Sequence, residues 1–386
     1  MEKAGVFNQQ QKYSLIVQGG GQKGAFASGV LDKFIDADFD PFSLYIGTSA
    51  GALNVSSFVA KQRGIGLDFI LNYTTRERFF DMNKFLQKQQ PMDLDWAFDF
   101  VNSGEFPLDL ERGKQNLGDE RVALACITDV EELKDYYYPI FADNWFDVLR
   151  ATCAIPMLYY HDIEFDGKKW VDGGVSATIP VEESYRRGIN NMVVISTIPE
   201  PKQPVTSMSP VRESVEKWKK ELEAGLETHI RHLKVSGTKE KLTEFQKQFQ
   251  EKVANMKADY QRLTESRLAS YREQYQLMAG EKLNLKQWIQ DNEKLAKLID
   301  IQNKRTPFSR SSTSHLDMLV SHYANHAEVE QFLLSPPEDV NLWHIQPKHE
   351  LSSKGLLSQK DQILEDYEHG CAVAADFLAQ HHFTRS

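Results

Sequence analysis

Apolar positions along the first half of the chain fall into short continuous runs and into series spaced by three or four residues, and the two kinds of pattern alternate. Tyr13–Val17 (YSLIV) is an apolar run that stops at Gly19-Gly20-Gly21, which predicts a buried strand entering a loop. From Gly24 to Ile35 the apolar residues Ala27, Val30, Leu31 and Phe34 keep helical spacing. Leu44-Tyr45-Ile46 predicts a second strand, ending at Gly47, and Ala50 to Ala60 follows as a helix of small residues. Two strand-to-helix units so close together predict a parallel sheet in an α/β architecture.

Asp81 to Gly118 is aromatic and acidic, and reads as loops and short helices shaping a pocket. Val122–Thr128 and Tyr136–Ile140 form a predicted strand pair, Trp145–Thr152 a helix, Trp170-Val171 a strand edge, and Met192–Ile198 the clearest strand. Pro199 to Pro210 breaks this pattern. The 90 residues from Val211 to Asp300 contain no proline, and apolar positions such as Leu242, Phe245, Phe249, Val253 and Met256 recur every three or four residues. Long amphipathic helices are expected there, punctuated by Gly225, Gly237 and Gly280. After a polar linker, Lys304 to Ser314, a helix is expected from Leu316 to Leu334, a strand from Val340 to Ile345 and a closing helix from Gln359 to Ala379.

Composition narrows the function classes. A formal net charge of -10 opposes general affinity for a nucleic-acid backbone, which requires clustered positive charge. No run of about 18 apolar residues occurs, so no transmembrane segment is expected. Met1 to Tyr13 is polar and lacks an apolar run of signal-peptide length. Cys126, Cys153 and Cys371 are few, odd in number and far apart, which fits buried thiols in a reducing compartment. Together these features predict a cytoplasmic protein whose contact with membranes, if any, is peripheral.

Three glycine-marked turns carry the candidate chemistry. Gly47-Thr48-Ser49-Ala50-Gly51 is a G-x-S-x-G between a predicted strand and helix. A nucleophile elbow needs small residues two positions either side of its serine, because the turn is tight, and the helix that starts there aims its dipole at developing negative charge. Gly19-Gly20-Gly21-Gln22-Lys23-Gly24 sits at another strand-helix junction, where amides free of side chains can converge on one anion. That anion is a phosphate or the oxyanion of acyl transfer. Ala25 follows Gly24 where a P-loop has its lysine, and the dinucleotide spacing G-x-G-x-x-G is formally met by Gly19, Gly21 and Gly24. Asp172-Gly173-Gly174, at a strand end, supplies a carboxylate able to take a serine proton; Asp-Gly is equally a good turn dipeptide.

In this order the three turns resemble the patatin-like phospholipase family, particularly its bacterial members, which carry a glycine-rich loop, a G-x-S-x-G serine and an Asp-Gly-Gly aspartate. The resemblance covers roughly residues 13–198 and includes Ala151-Thr152-Cys153-Ala154-Ile155-Pro156, which looks like the family's segment upstream of the aspartate. It implies a three-layer α/β core with a mainly parallel sheet, plus a helical C-terminal module. By resemblance Ser49 is the nucleophile and Asp172 the general base, with no histidine. Gly19, Gly20, Gly21, Lys23 and Gly24 form the oxyanion loop; Gly47, Gly51, Gly173 and Gly174 shape the two turns. It implies a lipid or acyl-ester substrate, phospholipase A-type chemistry and no metal or organic cofactor. The corresponding division is a catalytic core at 13–200, a helical module at 211–335, and a strand and helix at 340–381 that return to the core and look loosely like the tail of some bacterial members. Two positions depart from the family: Lys23 replaces an arginine, keeping charge without the planar fork, and Leu158-Tyr159-Tyr160 replaces Phe-Pro-Pro.

Rival readings are weaker. An α/β-hydrolase would use a late histidine, for which His315, His322, His326, His344 and His349 are placed, but its elbow rarely comes this early in the chain. His322 and His326 share helical spacing without an H-E-x-x-H, which favours packing over metal ligation. Arg231, Lys234, Lys239 and Lys241 suit a membrane surface or, better, a charge-mixed solvated face. A neutral-lipid or small-ester hydrolase, an acyltransferase, or a non-catalytic lipid-binding protein keep the same fold.

Overall fold

The computed structural model describes residues 6–8, 11–81, 83–84, 89–103, 107–156, 158–199 and 315–384. The amphipathic helices expected over 211–300 and the linker before Ser314 lie outside these residues. All described residues belong to one compact unit.

After a short strand β1 (Val6–Asn8), the apolar run becomes β2 (Tyr13–Val17), and the glycine loop leads through a 3-10 turn into α1 (Gly24–Asp36). β3 (Leu44–Thr48) and α2 (Ala50–Val59) repeat the unit; α3 (Ile65–Phe69) continues into a π-helical turn, Ile70–Thr74. The aromatic, acidic stretch resolves into α4 (Leu94–Ser103) and α5 (Leu110–Leu117). Then come β4 (Val122–Asp129), β5 (Asp135–Pro139), α6 (Trp145–Cys153), β6 (Ile163–Phe165), β7 (Lys168–Asp172), α7 (Val181–Arg186) and β8 (Asn191–Ile195). The described chain closes with α8 (His315–Leu334), β9 (Asn341–Ile345), α9 (Lys360–Gln380) and β10 (His382–Thr384).

Eight strands form one sheet in the order β6-β7-β4-β3-β2-β8-β9, with β5 also paired to β4. Neighbours from β4 through β3, β2 and β8 to β9 are parallel, while β5 and β7 run antiparallel to β4. Its central strands are buried on both faces, hence their continuous apolar sequences. On one face Ile16, Met192 and Val194 pack with Val181 of α7 and Val329 of α8. Phe34 of α1 meets Phe377 of α9, and Trp343 of β9 meets Phe7. The arrangement is a three-layer α/β core with a mostly parallel sheet.

The closing helix lies against α1 with almost no space between backbones. A Cβ placed on Gly29 would stand 2.1 Å from the carbonyl oxygen of Tyr367, and one on Gly370 would stand 2.0 Å from that of Phe26. β9 extends the sheet beyond β8, and the helix that follows packs on α1, so both join the core built by the first 200 residues. β8 ends at Ile195, three residues before the expected limit, and the small β1–β10 sheet has no counterpart in the apolar pattern. Among the described residues no helix is long and apolar enough to cross a membrane.

Candidate active site

The register of β4 brings the serine turn and the aspartate turn together. Thr48, the last residue of β3, pairs with Cys126, and Asp172, the last residue of β7, pairs with Ile127. Adjacent positions of one strand therefore fix the ends of two others, and Ser49 and Asp172 face each other despite their separation in sequence. Ser49 is near enough to favour the ionised form of Asp172, and both residues are buried, at 8% and 6% exposure.

Ser49 occupies a tight elbow, with φ 53° and ψ -128°, ahead of α2. That left-handed conformation in a non-glycine residue stores roughly 1–3 kcal/mol, which surrounding contacts must hold. The Ser49 amide donates to the hydroxyl of Thr152 at 2.8 Å, and that hydroxyl donates to the carbonyl of Cys126 at 2.5 Å. The Thr48 hydroxyl donates to Ala177 O at 2.8 Å, joining the elbow to the segment after Asp172. Close backbone approach explains the small residues here: a Cβ on Gly51 would lie 2.3 Å from Val17 O, on Gly47 2.5 Å from Ala52 Cα, and on Gly173 2.2 Å from Cys126 O.

Asp172 is held as firmly. Its amide donates to Ala154 O at 3.0 Å, its carbonyl accepts from the Thr128 hydroxyl at 2.9 Å, and its Oδ1 accepts from the Gly174 amide at 2.6 Å. Burial pushes its carboxyl up to about 7, against the lowering effect of the Gly174 amide and of Ser49. Burial also raises the Cys153 thiol well above its ordinary range, the negative charge of Asp172 adds to this, and a hydrogen bond with Ser49 opposes it.

The glycine loop runs beside the elbow: a Cβ on Gly19 would meet Thr48 O at 2.9 Å, and Gly24 packs on Ala50. The Gly19 amide donates to Thr178 O at 3.3 Å, that of Gln22 to Gly355 O at 2.9 Å, and that of Lys23 to Gly20 O at 3.3 Å. Lys23 caps α1, which begins at Gly24. Among the described residues the amides of Gly20 and Gly21 have no backbone or side-chain acceptor. Gly20 (φ 146°) and Gly21 (φ 58°) both adopt positive φ, which glycine alone accepts at little cost.

Ser49 lines a cavity of about 50 Å³ together with Leu53, Phe69, Phe79, Met92, Leu94 and Phe98, and Gly21, Gln22 and Leu356 also contribute to its wall. Thus α4 and its approach do shape a pocket, as the aromatic stretch suggests. Among the described residues no cluster of three metal-ligating side chains exists. The His322 and His326 rings are 6.3 Å apart, and His322 Nδ1 meets Gly174 O at 2.5 Å.

Sequence reasoning singles out the three turns but passes over Thr152, Cys153, Gln22 and Gly355 as participants. Thr152 and Cys153 lie in the Ala151–Pro156 segment that carries part of the resemblance; nothing local marks Gly355.

Residues 15–185 match the family described as patatin-like phospholipase, and residues 313–382 match a domain of unknown function, DUF6363. The uncharacterized protein YjjU of Escherichia coli (strain K12) is 38% identical over 191 residues, covering 50% of this chain and 53% of that protein. The chain's match thus spans about half the length of this curated relative. Among solved structures, VipD from Legionella pneumophila has a TM-score of 0.32 at 13% identity, over 57% of this chain and 55% of that one. Residues 15–185 thus make up a patatin-like phospholipase domain by this match.

Proposed function

We propose that the chain hydrolyses fatty-acyl esters in the manner of a phospholipase A, through a Ser49–Asp172 dyad. The observation that carries this reading is the burial of Ser49 beside Asp172, fixed by neighbouring positions of β4, on the wall of an apolar cavity and next to the Gly20 and Gly21 amides. Ionised Asp172 takes the Ser49 proton as Oγ attacks the ester carbonyl carbon. The carbonyl oxygen becomes an oxyanion held by the Gly20 and Gly21 amides, each worth about 3 kcal/mol to the transition state. Collapse breaks the ester bond, and Asp172 returns the proton to the departing alcohol. Water then attacks the acyl-serine, Asp172 takes its proton, the acid leaves and Ser49 is restored. A carboxyl poised at about 7 suits both halves of this cycle. Substrates of this kind reside in bilayers, so the reading includes peripheral contact with a lipid surface.

The test combines a lipid panel, with products identified by mass spectrometry, and labelling by a fluorophosphonate probe. Ser49→Ala is expected to abolish labelling and turnover, and Asp172→Asn to abolish turnover with the fold intact. A wild-type rate in Asp172→Asn would refute the dyad. Release of acid only from neutral lipids or small esters would move the substrate class, and acyl transfer to an added alcohol would change the acceptor.

A further inference from the structure

The catalytic residues of the proposed reaction all come from the first 200 residues, yet two of the turns that carry them touch residues 313–382. His322, on α8, meets the carbonyl of Gly174 through Nδ1 at 2.5 Å, and Asn325 Nδ2, one helical turn on, donates to Val175 O at 3.2 Å. Gly174 is the residue whose amide donates to Asp172 Oδ1 at 2.6 Å. On the other side of the site, Gly355 O accepts the amide of Gln22 at 2.9 Å, and the Ser358 amide donates to Gln22 Oε1 at 2.8 Å. The Gln22 side chain is completely paired, since its Nε2 donates to Thr74 O at 3.0 Å. A Cβ on Gly21 would be only 2.1 Å from Gly355 O, so the C-terminal loop abuts one of the two available amides.

The elements making these contacts are themselves braced. Asp366, buried on α9, accepts the amides of Ser352 and Ser353 at 2.9 and 2.8 Å. Lys354 N donates to Ser358 Oγ at 2.7 Å across the loop tip. The helix bearing Asp366 lies on α1 through the reciprocal Gly29 and Gly370 contacts. Neither contact with the site is needed to fill the core: His322 and Gly355 O bind backbone polar groups of catalytic turns.

We propose that the segment matched to the domain of unknown function is a clasp that sets the working geometry of both catalytic turns, with His322 as the positioning residue for Asp172 and the 352–358 loop as the support of the oxyanion amides. The inference rests on the acyl-hydrolase reading above. His322 acts through Gly174. By fixing that residue it fixes the hydrogen bond which favours ionised Asp172; without it the carboxyl drifts toward the protonated form and away from Ser49. The other titratable groups near this arrangement are Cys153, beside Ser49 and Asp172, Cys126, whose thiol donates to Gly173 O at 3.9 Å, and His326, beside His322.

The full chain carrying His322→Asn or His322→Gln tests this. The amide nitrogen of asparagine can take the place of Nδ1, whereas that of glutamine reaches to the position of Nε2. His322→Asn is expected to keep kcat within about threefold of wild type, and His322→Gln to lose about 10- to 100-fold, the scale of a misplaced catalytic group. KM should move little in either variant. The acid limb of the kcat profile should shift to higher pH in His322→Gln alone. His322→Ala should behave as His322→Gln does, with circular dichroism reporting the fold. Equal kcat and superimposed acid limbs for the Asn and Gln variants would overturn the clasp. Wild-type protein whose Ser49 fails to react with a fluorophosphonate would instead overturn the acyl-hydrolase reading, and the clasp with it.

Discussion

The amide of Ser49 donates to the hydroxyl of Thr152 at 2.8 Å, and through that hydroxyl the elbow is tied to Cys126 on the central strand β4. A buried threonine thus accepts from one strained backbone and donates to an unstrained one. Thr152→Val removes the acceptor without emptying the site, leaving a buried amide unpaired. It should cost about 1–3 kcal/mol in urea unfolding and lower ester turnover, while Thr152→Ser retains most of both.

On the proposed mechanism Asp172 gives the activity its pH dependence. A base must be ionised, so turnover is expected to rise with pH through an apparent midpoint at about 7, well above an ordinary carboxyl. A rate–pH profile of the wild type checks this; a limb near pH 4 would contradict it.

The same carboxyl affects stability with a definite sign. Its folded pKa lies above its unfolded value, so the native state binds the proton more tightly, and stability falls as pH rises from about 4 through about 7. Asp172→Asn removes that fall. Its melting temperature should match the wild type near pH 4 and exceed it at pH 8, by the equivalent of about 1–4 kcal/mol.

Burial keeps two thiols unreactive. Cys126 and Cys153 are both raised above the usual thiol range, chiefly by desolvation. Iodoacetamide at neutral pH should leave both unmodified in the native protein and modify both in denaturant, as read by mass spectrometry.

The α1–α9 contact predicts a stability defect remote from the chemistry. Gly370→Ala places a methyl 2.0 Å from the carbonyl oxygen of Phe26, and backbone on both sides must shift. A loss of about 1–3 kcal/mol in chemical denaturation is expected.

Much of this architecture is legible in the sequence because its signals are local. Tyr13–Val17 and Leu44–Ile46 are buried on both faces, so their side chains announce the strands, and the glycines at 19–21 and 47–51 announce the turns. The aspartate turn is legible only through its order relative to the other two. What brings it to Ser49 is the pairing of Thr48 and Asp172 with neighbouring positions of β4, a register that no local pattern encodes. Gly355 was invisible for a related reason: it contributes a main-chain carbonyl, and every residue has one. His322 reads from sequence as a packing histidine ahead of a metal ligand or late triad base, and nothing local signals that it meets the carbonyl of Gly174. The β1–β10 pair escaped because each strand is three residues long.

The position of β9 in the chain imposes an order in time. β8 has β2 on one side and β9 on the other, yet about 145 residues separate β8 from β9, on the order of ten seconds of synthesis. During that interval an emerging chain holds Ser49 and Asp172 but not yet β9 or Gly355, the later partners of β8 and of the Gln22 amide. Vectorial synthesis therefore delivers Ser49 and Asp172 early and the brace from Gly355 late.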